Sequence, residues 1–165
     1  MAYATFCKKL TTSQFETIVN RRKAKGSMRL NLRNLSSVDP QVMAKSVLDT
    51  EFNEVELKNT SLTKTQLETI FTQAALMPGK DLGRSMFLLD VSQNDLSEVH
   101  PKILAMAAVK MDQIDLNDTY LSMEQAEVLF KTIINTKDLT IEYMTVDKHI
   151  YKGKNDKLAK ESLNN

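Results

Sequence analysis

Apolar residues return along this chain with a spacing of 3, 2 and 5. The pattern runs Phe52, Val55, Leu57, Leu62, then Met86, Leu89, Val91, Leu96, then Met111, Ile114, Leu116, Leu121. A weaker copy runs Leu139, Ile141, Val146 with Thr136 in the first slot, and another runs Leu30, Leu32 with Ser27 in that slot. Inside each copy the middle apolar pair flanks one polar residue, as in a half-buried strand. The second strand positions fall at Leu32, Leu57, Val91, Leu116 and Ile141, in steps of 25, 34, 25 and 25 residues. A period of about 20–50 residues marks a chain built from stacked supersecondary units.

The segments between these strands carry helical periodicity. Leu10-Thr-Thr-Ser-Gln-Phe-Glu-Thr-Ile-Val matches Leu62-Thr-Lys-Thr-Gln-Leu-Glu-Thr-Ile-Phe in residue class. Each reads as a loop and a helix start, with Thr12 or Ser13 and Thr63 or Thr65 as N-caps. Phe15, Ile18 and Val19 then share a face, as do Leu67, Ile70 and Phe71. Arg21-Arg22-Lys23-Ala24-Lys25 followed by Gly26 is a helix end signal. Asp39-Pro40 opens a helix with Val42, Met43, Val47 and Leu48 inward. Val99-His100-Pro101 opens one with Ile103, Leu104, Ala107 and Ala108 inward. Ser122 caps the most apolar helix, which carries Ala126, Val128, Leu129, Phe130, Ile133 and Ile134.

The expected organisation has three parts. Residues 1–26 form a capping unit, residues 27–146 hold the repeats, and residues 147–165 are a polar tail, frayed or briefly helical. A nine-residue insertion near 77–85 contains Pro78, Gly79 and Gly83, and reads as a loop. Its Gly79-Lys80 is not a phosphate loop, because Ala74 and Asp81 stand where that motif needs Gly and Ser or Thr. Lys80 and Arg84 make the loop a possible contact for a partner.

Composition narrows the function classes. Of 165 residues, 42% are hydrophobic and 26% charged, a globular balance. The net charge of +1 gives no bulk electrostatic case for nucleic acid or a membrane surface. No apolar run approaches the ~20 residues of a membrane helix. The first residues do not read as a secretory signal, and the single cysteine, Cys7, cannot pair internally. The expectation is a reducing, cytoplasmic setting, with export by a route lacking an N-terminal mark left open.

The spacing resembles the leucine-rich-repeat pattern L-x-x-L-x-L-x-x-N-x-L. Three copies fill four of its five slots, with Thr60, Asn94 and Thr119 at the Asn position. Because a helix follows each strand, the chain resembles the ribonuclease-inhibitor-like subclass, although a 25-residue unit is shorter than that subclass usually has. The resemblance implies an α/β fold: a curved solenoid, parallel sheet on the concave side and helices on the convex side. Tropomodulin-like actin regulators carry a similar short array.

In that arrangement the polar strand positions face outward in columns about 4.8 Å apart. One column holds Asn31, Glu56, Asp90, Asp115 and Thr140. The next holds Arg33, Lys58, Ser92, Asn117 and Glu142, and a third Arg29, Glu54, Leu88, Gln113 and Asp138. The expected contact residues are Arg33, Glu56, Lys58, Asp90, Asp115, Asn117 and Glu142, with Lys80 and Arg84 on the loop. The face is basic at one end and acidic in the middle, suited to a partner with basic groups. Strand spacing holds the carboxylates too far apart for a shared metal, so neither metal nor other cofactor is expected.

A catalytic centre needs a nucleophile, base or metal in a pocket. His100 and His149 have no carboxylate or nucleophile that the repeat geometry brings to them, and Cys7 reads as a small apolar filler. The expectation is therefore a non-enzymatic protein-binding module with no small-molecule substrate. The alternatives are the recognition module of a regulatory or pathogen-effector protein acting through a recruited factor, an actin-regulator-like module, and a nucleic-acid binder using Arg21, Arg22, Lys23 and Lys25.

Overall fold

The computed structural model describes residues 8–77, 87–136, 143–146, 149–154 and 157–162, with the side chains of 143 and 149–162 excepted. Five helices and seven strands follow one another among them. The order is α1 (Thr12–Lys23), β1 (Ser27–Arg29), α2 (Pro40–Val47), β2 (Glu54–Glu56), α3 (Lys64–Leu76) and β3 (Leu88–Asp90). Then come α4 (Pro101–Ala108), β4 (Gln113–Asp115), α5 (Met123–Asn135), β5 (Tyr143–Val146), β6 (His149–Lys154) and β7 (Lys157–Ser162). The strands form one sheet in sequence order. β1 to β5 are parallel, each reached from the one before through a helix, as parallel neighbours require. β6 and β7 add antiparallel strands to the far edge. The segment expected as a frayed or helical tail thus pairs as strands. Among the described residues no helix is long and apolar enough to cross a membrane.

One face of the sheet meets the helices and is dry. Met28, Val55, Leu89, Ile114 and Met144 lie in register across the parallel strands, and all are buried. Leu30, Leu57, Val91, Leu116 and Val146 follow them two residues on and are buried too. Against these pack Phe15, Met43, Val47, Leu67, Ile70, Phe71, Leu104, Ala108, Leu129 and Ile133 from the helices. No unit could bury its own apolar side alone, so the stack supplies the core.

The register differs from the sequence expectation at both ends. Leu32 does not point inward. It is 51% exposed, and Met28 and Leu30 take the buried strand positions of that unit. At the other end Met144 and Val146 take them, and Leu139 and Ile141 lie outside the described residues. At β1 the slip is two residues, which keeps every side chain on its face, so alternation cannot detect it; at β5 the shift is five. What fixes the register is Leu35, which enters the core where Leu62 and Leu96 do in other units. The central strands β2, β3 and β4 sit where the sequence placed them.

Successive units alternate in kind. α2 and α4 are eight residues long, start on Pro40 and Pro101, and are capped by Asp39 and His100. α1, α3 and α5 have 12 or 13 residues and carry capping boxes built by Thr11 with Gln14, Thr63 with Gln66, and Ser122 with Gln125. The cap of α1 is therefore Thr11, not Thr12 or Ser13. The Thr12 hydroxyl instead accepts from the Asp39 backbone N–H at 2.9 Å. The basic run at the end of α1 is partly neutralised, since Lys23 pairs with Asp49 at 2.8 Å and Glu51 at 2.7 Å.

Beyond each of the first four strands the chain makes a left-handed step, followed beyond β2 and β4 by a second at Ser61 (φ 55°) and Tyr120 (φ 58°). Leu32, Asn59, Gln93 and Asp118 have φ of 63°, 52°, 58° and 53°. The step keeps the sheet ladder going past the strand ends. Leu32 N–H donates to Lys58 O at 3.0 Å, Asn59 N–H to Ser92 O at 3.0 Å, and Gln93 N–H to Asn117 O at 2.9 Å. Asn and Asp tolerate this conformation through short polar side chains, whereas a leucine there is uncommon.

Candidate functional site

The sheet face away from the helices remains half-exposed at Glu54, Glu56, Leu88, Asp90, Gln113 and Asp115. Its central row reads Arg29, Glu56, Asp90, Asp115, Thr145 in direct register. Glu56, Asp90 and Asp115 stand side by side as the sequence implied. Their neighbour in β1 is Arg29 rather than Asn31, a shift of two residues, and in β5 Thr145 rather than Thr140, a shift of five. The row before it holds Ser27, Glu54, Leu88, Gln113 and Tyr143. Arg33 leaves the Lys58 row, lies past the strand in an exposed turn, and is replaced beside Lys58 by Asn31. Glu142, Lys80 and Arg84 lie outside the described residues, as does Cys7.

The β1 end of the row is internally matched. Arg29 Nη2 lies 2.9 Å from Glu54 Oε2, and its Nε lies 3.0 Å from Glu56 Oε1. These contacts hold the guanidinium above its ordinary pKa, through the hydrogen bond to Glu54 first and the charges of Glu56 and Glu54 after it. Asn31 Nδ2 donates to Glu56 Oε2 at 2.6 Å, and Asn31 Oδ1 accepts from the Lys58 backbone N–H at 3.0 Å. Arg29 was expected on this face but not as the residue that cancels the Glu56 charge.

The middle of the row is different. Asp90 Oδ1 accepts from the Ser92 N–H at 2.8 Å, and Asp115 Oδ1 from the Asn117 N–H at 2.9 Å. Each carboxylate is thereby fixed by its own strand end. Neither has an ion-pair partner among the described residues. Burial pushes the Asp115 carboxyl above its ordinary pKa. Its bond from Asn117 opposes this, Asp90 adds to it, Lys58 opposes it, and Asp118 adds. Two carboxylates on adjacent strands repel, at a cost of a few tenths of a kcal/mol per pair near water. Beside them, Ser92 is 2% exposed and its hydroxyl has no hydrogen-bond partner among the described residues.

Other candidate groups have structural uses. His100 Nδ1 accepts from the Lys102 N–H at 3.2 Å as the cap of α4. Among the described residues no group of three or more His, Cys, Asp or Glu side chains could hold a metal ion. Asn94, at the Asn slot of the repeat, is 3% exposed and bonds in two directions. Its Oδ1 accepts from the N–H groups of Thr60 at 3.1 Å and Leu62 at 3.2 Å. Its Nδ2 donates to the carbonyls of Leu57 at 2.7 Å and Val91 at 3.0 Å. Thr60 and Thr119 fill the same slot more simply, each donating its hydroxyl to a carbonyl of its own unit at 2.7 Å.

No family model, no curated protein and no solved structure matches the chain. The site is therefore read from its own residues.

Proposed function

We propose that the chain is a curved solenoid of the leucine-rich-repeat type, in its strand-plus-helix form, and a non-enzymatic module that binds another protein through the strand face. The single observation that carries this reading is the Asp90–Asp115 pair. Both carboxylates are held in place by backbone N–H groups, in register, on the uncovered face, and without an ion-paired cation among the described residues. Repulsion between them is relieved by a partner that brings an arginine or lysine across both strands. The repeat reading is supported by the buried pair in every parallel strand, the left-handed step after the strands, and the Asn94 bonds between units. The absence of a catalytic role is supported by the engagement of His100 as a cap. A cytoplasmic setting fits this use.

The test is comparative capture. The protein is immobilised as wild type, as Asp90→Asn/Asp115→Asn and as Asp90→Lys/Asp115→Lys, and exposed to one lysate. Proteins held by the wild type, weakened by the neutral variant and lost from the reversed variant support the reading, provided thermal melting is unchanged. The same proteins on all three surfaces end it.

A further inference from the structure

We propose that a cleft beside β1, separate from the Asp90–Asp115 pair, binds a peptide segment in which acidic and apolar residues alternate. The cleft has a volume of about 470 Å³ and is lined by Lys8, Lys9, Leu10, Gln14, Asn31, Leu32 and Arg33. It lies between the segment preceding α1 and the turn following β1. A backbone bond from Leu10 N–H to Asn34 O at 3.0 Å holds the two walls together.

Among the described residues three lining side chains are cations and none is a carboxylate. Lys8, Lys9 and Arg33 are exposed and make no ion pair among the described residues, whereas Lys23 and Arg29 are each paired with two acids. The cleft also opens beside the first turn of α1, whose backbone N–H groups add partial positive charge. An anion gains from all four sources together.

The apolar part of the lining decides the kind of anion. Leu32 is 51% exposed in a left-handed backbone conformation. That costs about 1–2 kcal/mol for a residue with a branched side chain, and exposes an isobutyl group toward the cleft that Leu10 also lines. Gln14 and Asn31 add polar groups. Among the described residues no aromatic ring lines the space for a nucleobase to stack on. Carboxylates for the cations and an aliphatic side chain for Leu32 and Leu10 describe an acidic–apolar peptide.

The probe is a blocked peptide of three Glu-Leu repeats, titrated into the full chain labelled with ¹⁵N, with inorganic phosphate titrated separately. The expected result is that the peptide shifts the amide resonances of Leu10, Gln14, Asn31, Leu32 and Arg33. Lys9→Gln/Arg33→Gln should weaken binding at least tenfold, and Leu32→Asn at least threefold. Asp90→Lys/Asp115→Lys should leave peptide binding in place, so that the cleft and the partner-binding face stand or fall separately. The proposal is overturned if the peptide moves none of these amides, if the glutamine variant binds as well as wild type, or if phosphate binds equally and Leu32→Asn changes nothing.

Discussion

The side-chain amide of Gln66 donates to the main-chain carbonyl of Val38 at 2.7 Å, tying a long-helix unit to the short-helix unit before it. The same amide donates to Leu35 O at 2.8 Å, while Gln66 Oε1 accepts from the Thr63 N–H at 2.9 Å to close the capping box. Gln125 repeats the arrangement one pair of units later, with Leu96 O and Val99 O each at 2.7 Å. Both glutamines are 1% exposed. The carbonyls they satisfy belong to the turn before a proline-headed helix, where the chain offers no ladder partner. Gln66→Ala should leave Val38 O without its donor, remove one of the two bonds to Leu35 O and open a small cavity, at a cost of about 2–4 kcal/mol in urea unfolding. Gln66→Glu should cost at least as much at neutral pH, because a carboxylate cannot donate. Gln14, which is exposed, should lose only about 1 kcal/mol when replaced by alanine, since it serves the cap alone.

Asn94 should be the most sensitive polar position. Six polar contacts within hydrogen-bond distance converge on its side chain, three at its oxygen and three at its nitrogen, whose two hydrogens they share. Asn94→Asp keeps the shape but turns the contacts at the nitrogen into contacts between oxygens. The expectation is a loss of about 3–5 kcal/mol, enough to unfold much of a marginal domain. Thr60→Val, which removes the hydroxyl that donates to Leu57 O at 2.7 Å and also lies 3.3 Å from Asn94 Oδ1, should cost about 1–2 kcal/mol. Chemical denaturation of the two variants orders them; equal losses would contradict the view that Asn94 is the stronger link between units.

The sequence made the middle of the fold legible and misplaced its ends. Val55 with Leu57, Leu89 with Val91 and Ile114 with Leu116 are the buried pairs expected, and Glu56, Asp90 and Asp115 are the row expected. Near β1 the run Met28, Leu30, Leu32 offers two equally alternating pairs, and equal spacing of 25 residues favoured the wrong one. Aligned positions Met28, Val55, Leu89, Ile114 and Met144 are really separated by 27, 34, 25 and 30 residues. The reason is the alternation of long and short helices, and it was readable. Asn34 to Pro40 and Asp95 to Pro101 share a pattern, as do the Thr or Ser, then Gln, of the three capping boxes. Arg29 beside Glu56 followed from that shift. The cleft at Lys8, Lys9 and Arg33 did not, since it depends on how the segment before α1 folds onto the β1 turn.

Leu32 gives a test of register that is independent of binding. Its side chain is half in water and its φ of 63° suits asparagine better than leucine. Leu32→Asn should raise stability by about 0.5–1 kcal/mol, against the usual direction for removing a leucine. Had Leu32 occupied the inward position that the 25-residue spacing gave it, the same change would cost about 3 kcal/mol or more. Thermal melting of the single variant distinguishes the two by sign. Gly26 gives the matching control in the opposite direction. Its φ is 65° and a Cβ there would meet nothing nearer than Glu51 O at 3.9 Å. Gly26→Ala should therefore cost about 1–2 kcal/mol through conformation alone.

Asp115 fixes the pH dependence of the open face. Burial holds its folded-state pKa above the ordinary carboxylate value, and the neighbouring Asp90 charge acts in the same direction. A carboxyl with a raised folded pKa favours folding most when it is protonated. Its contribution is complete below the unfolded value and is lost as pH rises through the folded one. Asp115→Asn keeps the acceptor for the Asn117 N–H and removes the charge. At pH 7 the variant should be more stable than wild type by up to about 1 kcal/mol. Near pH 3, where wild-type Asp115 is largely protonated, the difference should shrink toward zero. Asp90→Asn should show a smaller gain, and the double variant less than the sum, because removing either charge ends their mutual repulsion. Denaturant titrations at the two pH values measure all three. A wild type that is more stable than Asp115→Asn at pH 7 would mean that the carboxylate is already matched by a cation in the folded chain, and would remove the electrostatic ground for a basic partner.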